Sequence, residues 1–207
     1  MKLLANLGLV AAVVLPLSAA AEIATSERRS GFLDMSRETQ AMQRDDTANP
    51  GMLWVADGEA MWNEKAGARG QSCADCHGDA AASMKGVAVR YPAYSTERGR
   101  PIDLQGRINL CRESKQNATP LALESKELIS LSTYVAHQSR GLPIAPDRDA
   151  RLEPFRARGA ALYQERQGQL NFSCANCHDD HWGQRLASSL IPQAHPTGYP
   201  LYRLEWQ

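Results

Sequence analysis

Apolar residues fall along this chain in two distinct rhythms. From Leu3 to Leu17 they run almost unbroken, interrupted only by Asn6, Gly8 and Pro16. That run is about 15 residues long, short of the roughly 20 needed to span a bilayer. Met1-Lys2 precedes it and the small residues Ser18-Ala19-Ala20-Ala21 follow. The pattern predicts a secretory signal peptide over residues 1–21, cut after Ala21. Further on the spacing becomes helical. Leu128, Leu131, Ser132 and Val135 recur on one face of a helix predicted over Glu124 to Gln138, with Gly141 as its stop. Alternating β-branched runs are few, so the expected fold class is all-α. No second segment has the length and apolarity of a membrane span.

One stretch occurs twice. Gly58 to Gly78 reads GEAMWNEKAGARGQSCADCHG, and Gly159 to Asp179 reads GAALYQERQGQLNFSCANCHD. They align without gaps at an offset of 101, with nine of 21 positions identical. Each copy predicts an amphipathic helix ending at a glycine, a short loop and then C-x-x-C-H. Between them, Gly141-Leu142-Pro143-Ile144-Ala145-Pro146 carries the punctuation of a domain boundary. The expected organisation is a polar N-terminal arm over 22–49, a first helical domain over 50–145 and a second, incomplete one over 146–207.

Composition narrows the function. The 207 residues carry 23 Lys+Arg against 23 Asp+Glu, a formal net charge of zero. Such a balance gives no electrostatic reason to bind nucleic acid or an anionic membrane. With 43% hydrophobic and 22% charged residues the chain is an ordinary globular one. The five cysteines cannot all pair in disulfides.

Four of those cysteines lie in Cys73-Ala74-Asp75-Cys76-His77 and Cys174-Ala175-Asn176-Cys177-His178. C-x-x-C-H is the attachment motif of c-type haem. Two thiols three residues apart reach the two vinyl groups of one haem, and the next histidine offers its imidazole to the iron. A zinc site would place its second Cys pair about 15–20 residues on rather than 101. A thioredoxin-like motif would need a βαβ context. The expected cofactors are therefore two covalently bound haems c, with His77 and His178 as proximal iron ligands.

Sixth ligands are less local. Met84 lies only seven residues beyond His77, close for an approach from the opposite haem face. Cys111 lies 34 residues beyond it, past an expected loop with Gly99, Pro101 and Gly106, with Arg107 and Arg112 placing positive charge nearby. The residues alone leave Cys111 open between an iron ligand and an inert buried thiol. In the second domain the candidates are His181, one turn after His178, and His195, between Pro192 and Pro196. At an offset of 101 the counterpart of Cys111 would fall near position 212, so the second haem's ligand is expected beyond Gln207.

Beyond these motifs the chain resembles the SoxA family, the haem c subunit of the SoxAX complex of bacterial thiosulfate oxidation. The resemblance rests on ETQAMQRDDTANPGMLWVADGEAMW (38–62), SCADCHG (72–78), SMKGVAVRYPAY (83–94), GRINLCR (106–112), YVAHQSRGLPI (134–144), RQGQLNFSCANCHDD (166–180) and HPTGYPLYRLEWQ (195–207). It implies two cytochrome c-like domains. The first haem would be held by Cys73 and Cys76 with His77 and Cys111 as axial ligands, the active-site haem by Cys174 and Cys177 with His178. It implies an L-cysteine S-thiosulfotransferase in the periplasm, paired with a SoxX cytochrome subunit. That enzyme oxidatively conjugates thiosulfate to a cysteine of the carrier SoxYZ, and the electrons pass to cytochrome c. The family's catalytic cysteine follows the YRLEWQ stretch, so it is expected beyond Gln207 and no catalytic residue is assigned within the chain. Two other classes compete: a plain dihaem electron carrier, with Met or His as sixth ligands, and a dihaem peroxidase.

Overall fold

A computed structural model describes residues 23–194. The expected signal peptide, His195 and the HPTGYPLYRLEWQ stretch lie outside the described residues.

Among the described residues are eight α-helices and two small antiparallel hairpins. The 22–49 region is more than a polar tail. It holds 3₁₀ turns at Thr25–Glu27 and Gly31–Asp34 and the helix α1, Arg37–Arg44. Ser36 starts α1 by accepting the Thr39 N–H at 3.2 Å. Arg140 anchors the end of this region through Asp46 at 2.5 Å and the Gln43 carbonyl.

The core is built where α2 (Gly51–Asn63) crosses α6 (Lys126–His137). The α6 helix starts one residue after its Ser125 cap and ends one residue before Gln138, within the expected span. Leu128, Leu131 and Val135 are almost wholly buried, each worth about 1.5–3 kcal/mol of apolar burial. Leu131, Tyr134 and Val135 pack with Val55 and Trp62 of α2 and with Ala80 and Met84. Gly58 makes the crossing possible. A Cβ there would stand 2.6 Å from Tyr134 Cβ and closer still to the Ser130 carbonyl oxygen.

The stretch around Gly99, Pro101 and Gly106, expected as a loop, is largely ordered. It forms the hairpin β1 (Ala93–Ser95) with β2 (Arg100–Ile102) and then the helix α5, Leu104–Cys111. Asp103 nucleates α5 by accepting the Gly106 N–H at 2.7 Å, a cap that the glycines around it obscure in the sequence. A π-helical turn, Arg112–Gln116, continues α5 directly beyond Cys111.

The Pro-rich linker is also tied down. Ala145 donates to the Val89 carbonyl at 2.9 Å and Asp147 to the Arg90 carbonyl at 3.0 Å. Arg151 then stacks over the Tyr94 ring at 4.2 Å. Beyond it come α7 (Glu153–Gln164), α8 (Cys174–His178) and the hairpin of β3 (Arg185–Leu186) with β4 (Ser189–Leu190). In this part Leu152 and Ala175 are buried, whereas Phe155, Leu162, Leu170 and Phe172 are exposed. No helix of the described residues is long and apolar enough to cross a membrane.

Candidate functional site

Each C-x-x-C-H sequence folds as one short helix, α3 (Cys73–His77) and α8, and each starts with the same device. Ser72 accepts the Asp75 N–H at 3.0 Å while Asp75 accepts the Ser72 N–H at 2.8 Å. Ser173 accepts the Asn176 N–H at 3.3 Å and Asn176 accepts the Ser173 N–H at 3.1 Å. The serine before the first Cys and the Asp or Asn between the cysteines thus close reciprocal capping boxes. Helix onset at the first Cys puts both thiols and the histidine on a single turn. The Asp75 carboxyl is held below its ordinary range by the hydrogen bonds it shares with Ser72, backbone first, and by nearby Lys65.

Neither repeat helix runs on to a glycine as expected: α2 stops at Asn63 and α7 at Gln164. An Ala66–Gln71 bridge closes the Gly67–Gly70 turn before α3. Gly67 has φ +67°, and a Cβ there would meet Ala118 Cβ at 2.8 Å and, nearer still, the Gln116 carbonyl oxygen. That close approach seams the segment after Cys111 to the segment before Cys73. Ala68 donates to the Asn117 carbonyl at 3.1 Å, Arg69 to the Gln116 carbonyl at 3.2 Å, and the Gln116 amide to the Gln71 carbonyl at 2.9 Å.

The seam brings Cys111 to the first motif. Cys73, Cys76, His77 and Cys111 line one cavity of about 790 Å³, walled by Trp62, Leu104, Ile108, Leu131 and Val135. Burial pushes the Cys73 thiol above its ordinary range; Arg112 pulls it down, and Cys111 and Cys76 add to the rise. Met84 lines the same cavity but is also packed into the core cluster. Trp62 sits 5.8 Å from the His77 ring, centroid to centroid, and donates its indole N–H to the Gly78 carbonyl at 3.0 Å. The volume lies in the usual range for a cofactor pocket, with mostly apolar walls and a few converging polar groups. The donor set, two thiols and an imidazole on one short helix with a third thiol lining the same cavity, fits a haem c.

Cys174, Cys177 and His178 lie on α8 and do not line that cavity. His178 is oriented from an unexpected direction: its Nδ1 lies 2.7 Å from the Pro192 carbonyl oxygen. A carbonyl can only accept, so Nδ1 carries the hydrogen and Nε2 keeps its lone pair free for a metal. Tyr163 of α7 donates to Asp179 Oδ1 at 2.7 Å. Burial, with the bond to Asp179, holds this phenol far above its ordinary range. His181 is exposed in the turn that follows α8. Sequence reading missed Pro192 as a partner of His178, because a backbone carbonyl leaves no residue-type signal. No two of the five cysteines are joined in a disulfide. Among the described residues no three His, Cys, Asp or Glu side chains converge as a bare metal ion would require.

A cavity framed by C-x-x-C-H and a helical wall defines a c-type cytochrome domain. Similarity agrees: the cytochrome c domain of the SoxA/TsdA family matches residues 57–144, which include α3, Cys111 and α6. The L-cysteine S-thiosulfotransferase subunit SoxA of Pseudaminobacter salicylatoxidans is 40% identical over 178 residues, covering 86% of this chain and 62% of that protein. The corresponding subunit of Rhodovulum sulfidophilum is 32% identical, with the same coverage. The crystal structure of SoxXA from P. pantotrophus superposes with a TM-score of 0.79 at 31% identity, covering 85% of this chain and 66% of that one. The chain belongs to the SoxA family. It spans about 62% of the length of the first two relatives.

Proposed function

We propose that this protein is the haem-bearing subunit of a periplasmic thiosulfate-conjugating enzyme of the SoxAX type, with two covalently attached haems c. The observation that carries the reading is the convergence of Cys111 on the cavity of the first C-x-x-C-H motif. Relatives covering most of the chain are named as subunits of an L-cysteine S-thiosulfotransferase.

The local geometry around α8 supports a second haem and a shared ancestry for the two halves. The Ala66–Gln71 and Gln167–Phe172 bridges stand at the repeat offset. So do the Trp62–Gly78 and Tyr163–Asp179 hydrogen bonds, each joining the helix before the motif to the residue after its histidine.

In this reading Cys73 and Cys76 tether the first haem, with His77 and Cys111 as its iron ligands. Cys174 and Cys177 tether the second, with His178 as ligand. Bound haem c supplies one-electron oxidation and reduction. The protein's own part is to fix each imidazole and thiol beforehand: the capping boxes hold the tether cysteines, the Gln116–Gln71 seam holds Cys111, and Pro192 holds the His178 tautomer. The apolar walls exclude water from the first haem. The overall reaction joins a carrier cysteine thiolate to thiosulfate through a new S–S bond, releasing two electrons to two molecules of cytochrome c. The partners are a SoxX-type cytochrome subunit, a SoxYZ-type carrier and the cytochrome c acceptor.

Met84 on the same cavity favours a second reading, a dihaem electron carrier with methionine on the first iron. Electron paramagnetic resonance of the haem-loaded protein separates the two. The proposed reading expects a thiolate-ligated low-spin signal that Cys111→Met abolishes while raising the potential of that haem. An unchanged spectrum in Cys111→Met, with loss in Met84→Ala, supports the carrier. Activity is read by mass spectrometry of the carrier cysteine after incubation with thiosulfate, the partner subunit and oxidised cytochrome c. No adduct under those conditions overturns the enzymatic assignment.

A further inference from the structure

The N-terminal segment reaches across the molecule to the loop that orients His178. Gln193 is buried, at 7% exposure, and its carboxamide bridges two alternate residues of that segment. Gln193 Oε1 accepts the Arg29 backbone N–H at 2.9 Å, and Nε2 donates to the Glu27 carbonyl at 2.8 Å. The first partner can only donate and the second only accept, so the amide orientation is unambiguous. Arg29 adds a second contact, its guanidinium lying 5.4 Å from the centre of the Trp182 ring while it pairs with Asp34 at 2.5 Å.

Gln193 is one peptide beyond Pro192, whose carbonyl accepts from His178 Nδ1. From the other side the loop is held by the hairpin, through Gly183 N–H to the Ile191 carbonyl and Ile191 N–H to the Gln184 carbonyl, both at 2.8 Å. The Pro192 carbonyl is thus pinned between the hairpin and the Glu27–Arg29 segment.

We propose that Gln193, clamped by the backbone of Glu27 and Arg29, is a positioning residue for the second haem: it holds the Pro192 carbonyl against His178 and so sets how strongly that imidazole donates to iron. A carbonyl on Nδ1–H raises the basicity of the coordinating nitrogen and favours the ferric state. Loosening the clamp weakens that bond and raises the reduction potential. The proposal rests on the reading of α8 as a haem site.

The test uses the haem-loaded protein. Haem content per chain is measured first, by pyridine haemochrome. One haem in place of two removes the α8 reading, and this inference with it. With two haems present, the midpoint lost in the Cys174→Ala/Cys177→Ala variant belongs to the second. Gln193→Ala is expected to raise that midpoint, leave the first haem's unchanged, and speed solvent exchange of the His178 Nδ1–H in the reduced protein. Gln193→Leu removes both hydrogen bonds while filling the same space, so it gives the same shift; it also serves if the alanine variant does not fold. Deleting residues 23–30 is expected to reproduce the Gln193→Ala shift, and the combination to add nothing further, as expected for two parts of one contact. Two haems with an unmoved second midpoint in Gln193→Ala, or a deletion that leaves the second haem unchanged, overturns the proposal.

Discussion

Gly58→Ala tests whether the α2–α6 crossing carries the cavity of the first C-x-x-C-H motif. The added Cβ stands 2.6 Å from Tyr134 Cβ and 2.8 Å from the Ser130 carbonyl carbon. Ordinary carbon contacts lie at about 3.5–4.0 Å, so the helices must separate by about 1 Å. Neither obstacle can rotate away, since one is backbone and the other a Cβ. Overpacking of this kind costs about 3 kcal/mol at the upper end of its usual range. Alanine returns about 1 kcal/mol of helix propensity. The net loss is about 2 kcal/mol, a fall in Tm of roughly 4–8 °C for a chain of this size. Trp62, Leu131 and Val135 sit on these two helices and wall the cavity, so the Soret circular dichroism should change as well. The assay is a thermal melt of the haem-loaded protein at fixed scan rate, followed in the far ultraviolet and the Soret band. An unchanged or raised Tm would refute the argument. Gly159, the repeat counterpart of Gly58, supplies the control, because among the described residues a Cβ there meets nothing within 4 Å. Gly159→Ala should gain about 1 kcal/mol from propensity. A loss like that of Gly58→Ala would show a further helix crossing α7 as α6 crosses α2.

Two further outcomes follow from single contacts. Tyr163→Phe removes the 2.7 Å bond to Asp179 from a half-buried phenol, a loss of about 1 kcal/mol after allowing for solvent, read as a Tm lowered by roughly 2–4 °C. In the wild type, ultraviolet titration should find Tyr163 still protonated where ordinary tyrosines ionise near pH 10, and ionisation there would contradict the bond. Asp149, bonded first by the Arg151 side chain and then by its backbone N–H, has its carboxyl lowered to about 2. Because the folded value lies below the unfolded one, its contribution to stability is fully present above about pH 4 and is lost as pH falls through about 2. Carboxyl-carbon NMR checks this, and a midpoint near 3.8 would refute it.

What the sequence determined by itself is local. Cys73, Cys76 and His77, and again Cys174, Cys177 and His178, are adjacent in the chain, so one helical turn fixes their mutual geometry wherever it sits in the fold. The same holds for α6, whose apolar spacing is a property of its own twelve residues. The family could be read from contiguous stretches for the same reason. The ordered N-terminal segment was not legible, because its anchors are side chains far along the chain, Arg140 and Gln193, that meet it mostly through backbone groups.

Which distant groups meet follows from the packing of the whole chain. Cys111 reaches the first motif because Gln116 and Asn117 hydrogen-bond to the turn before Cys73, and Gly67 allows that approach. His178 receives its tautomer from a proline carbonyl fourteen residues on, and that loop is held by residues 164 and 166 positions away. These partners are mostly backbone groups, which every residue carries and no sequence pattern marks. Their meeting depends on helix crossings and hairpin returns, and those follow from burial of the whole chain rather than from any local period.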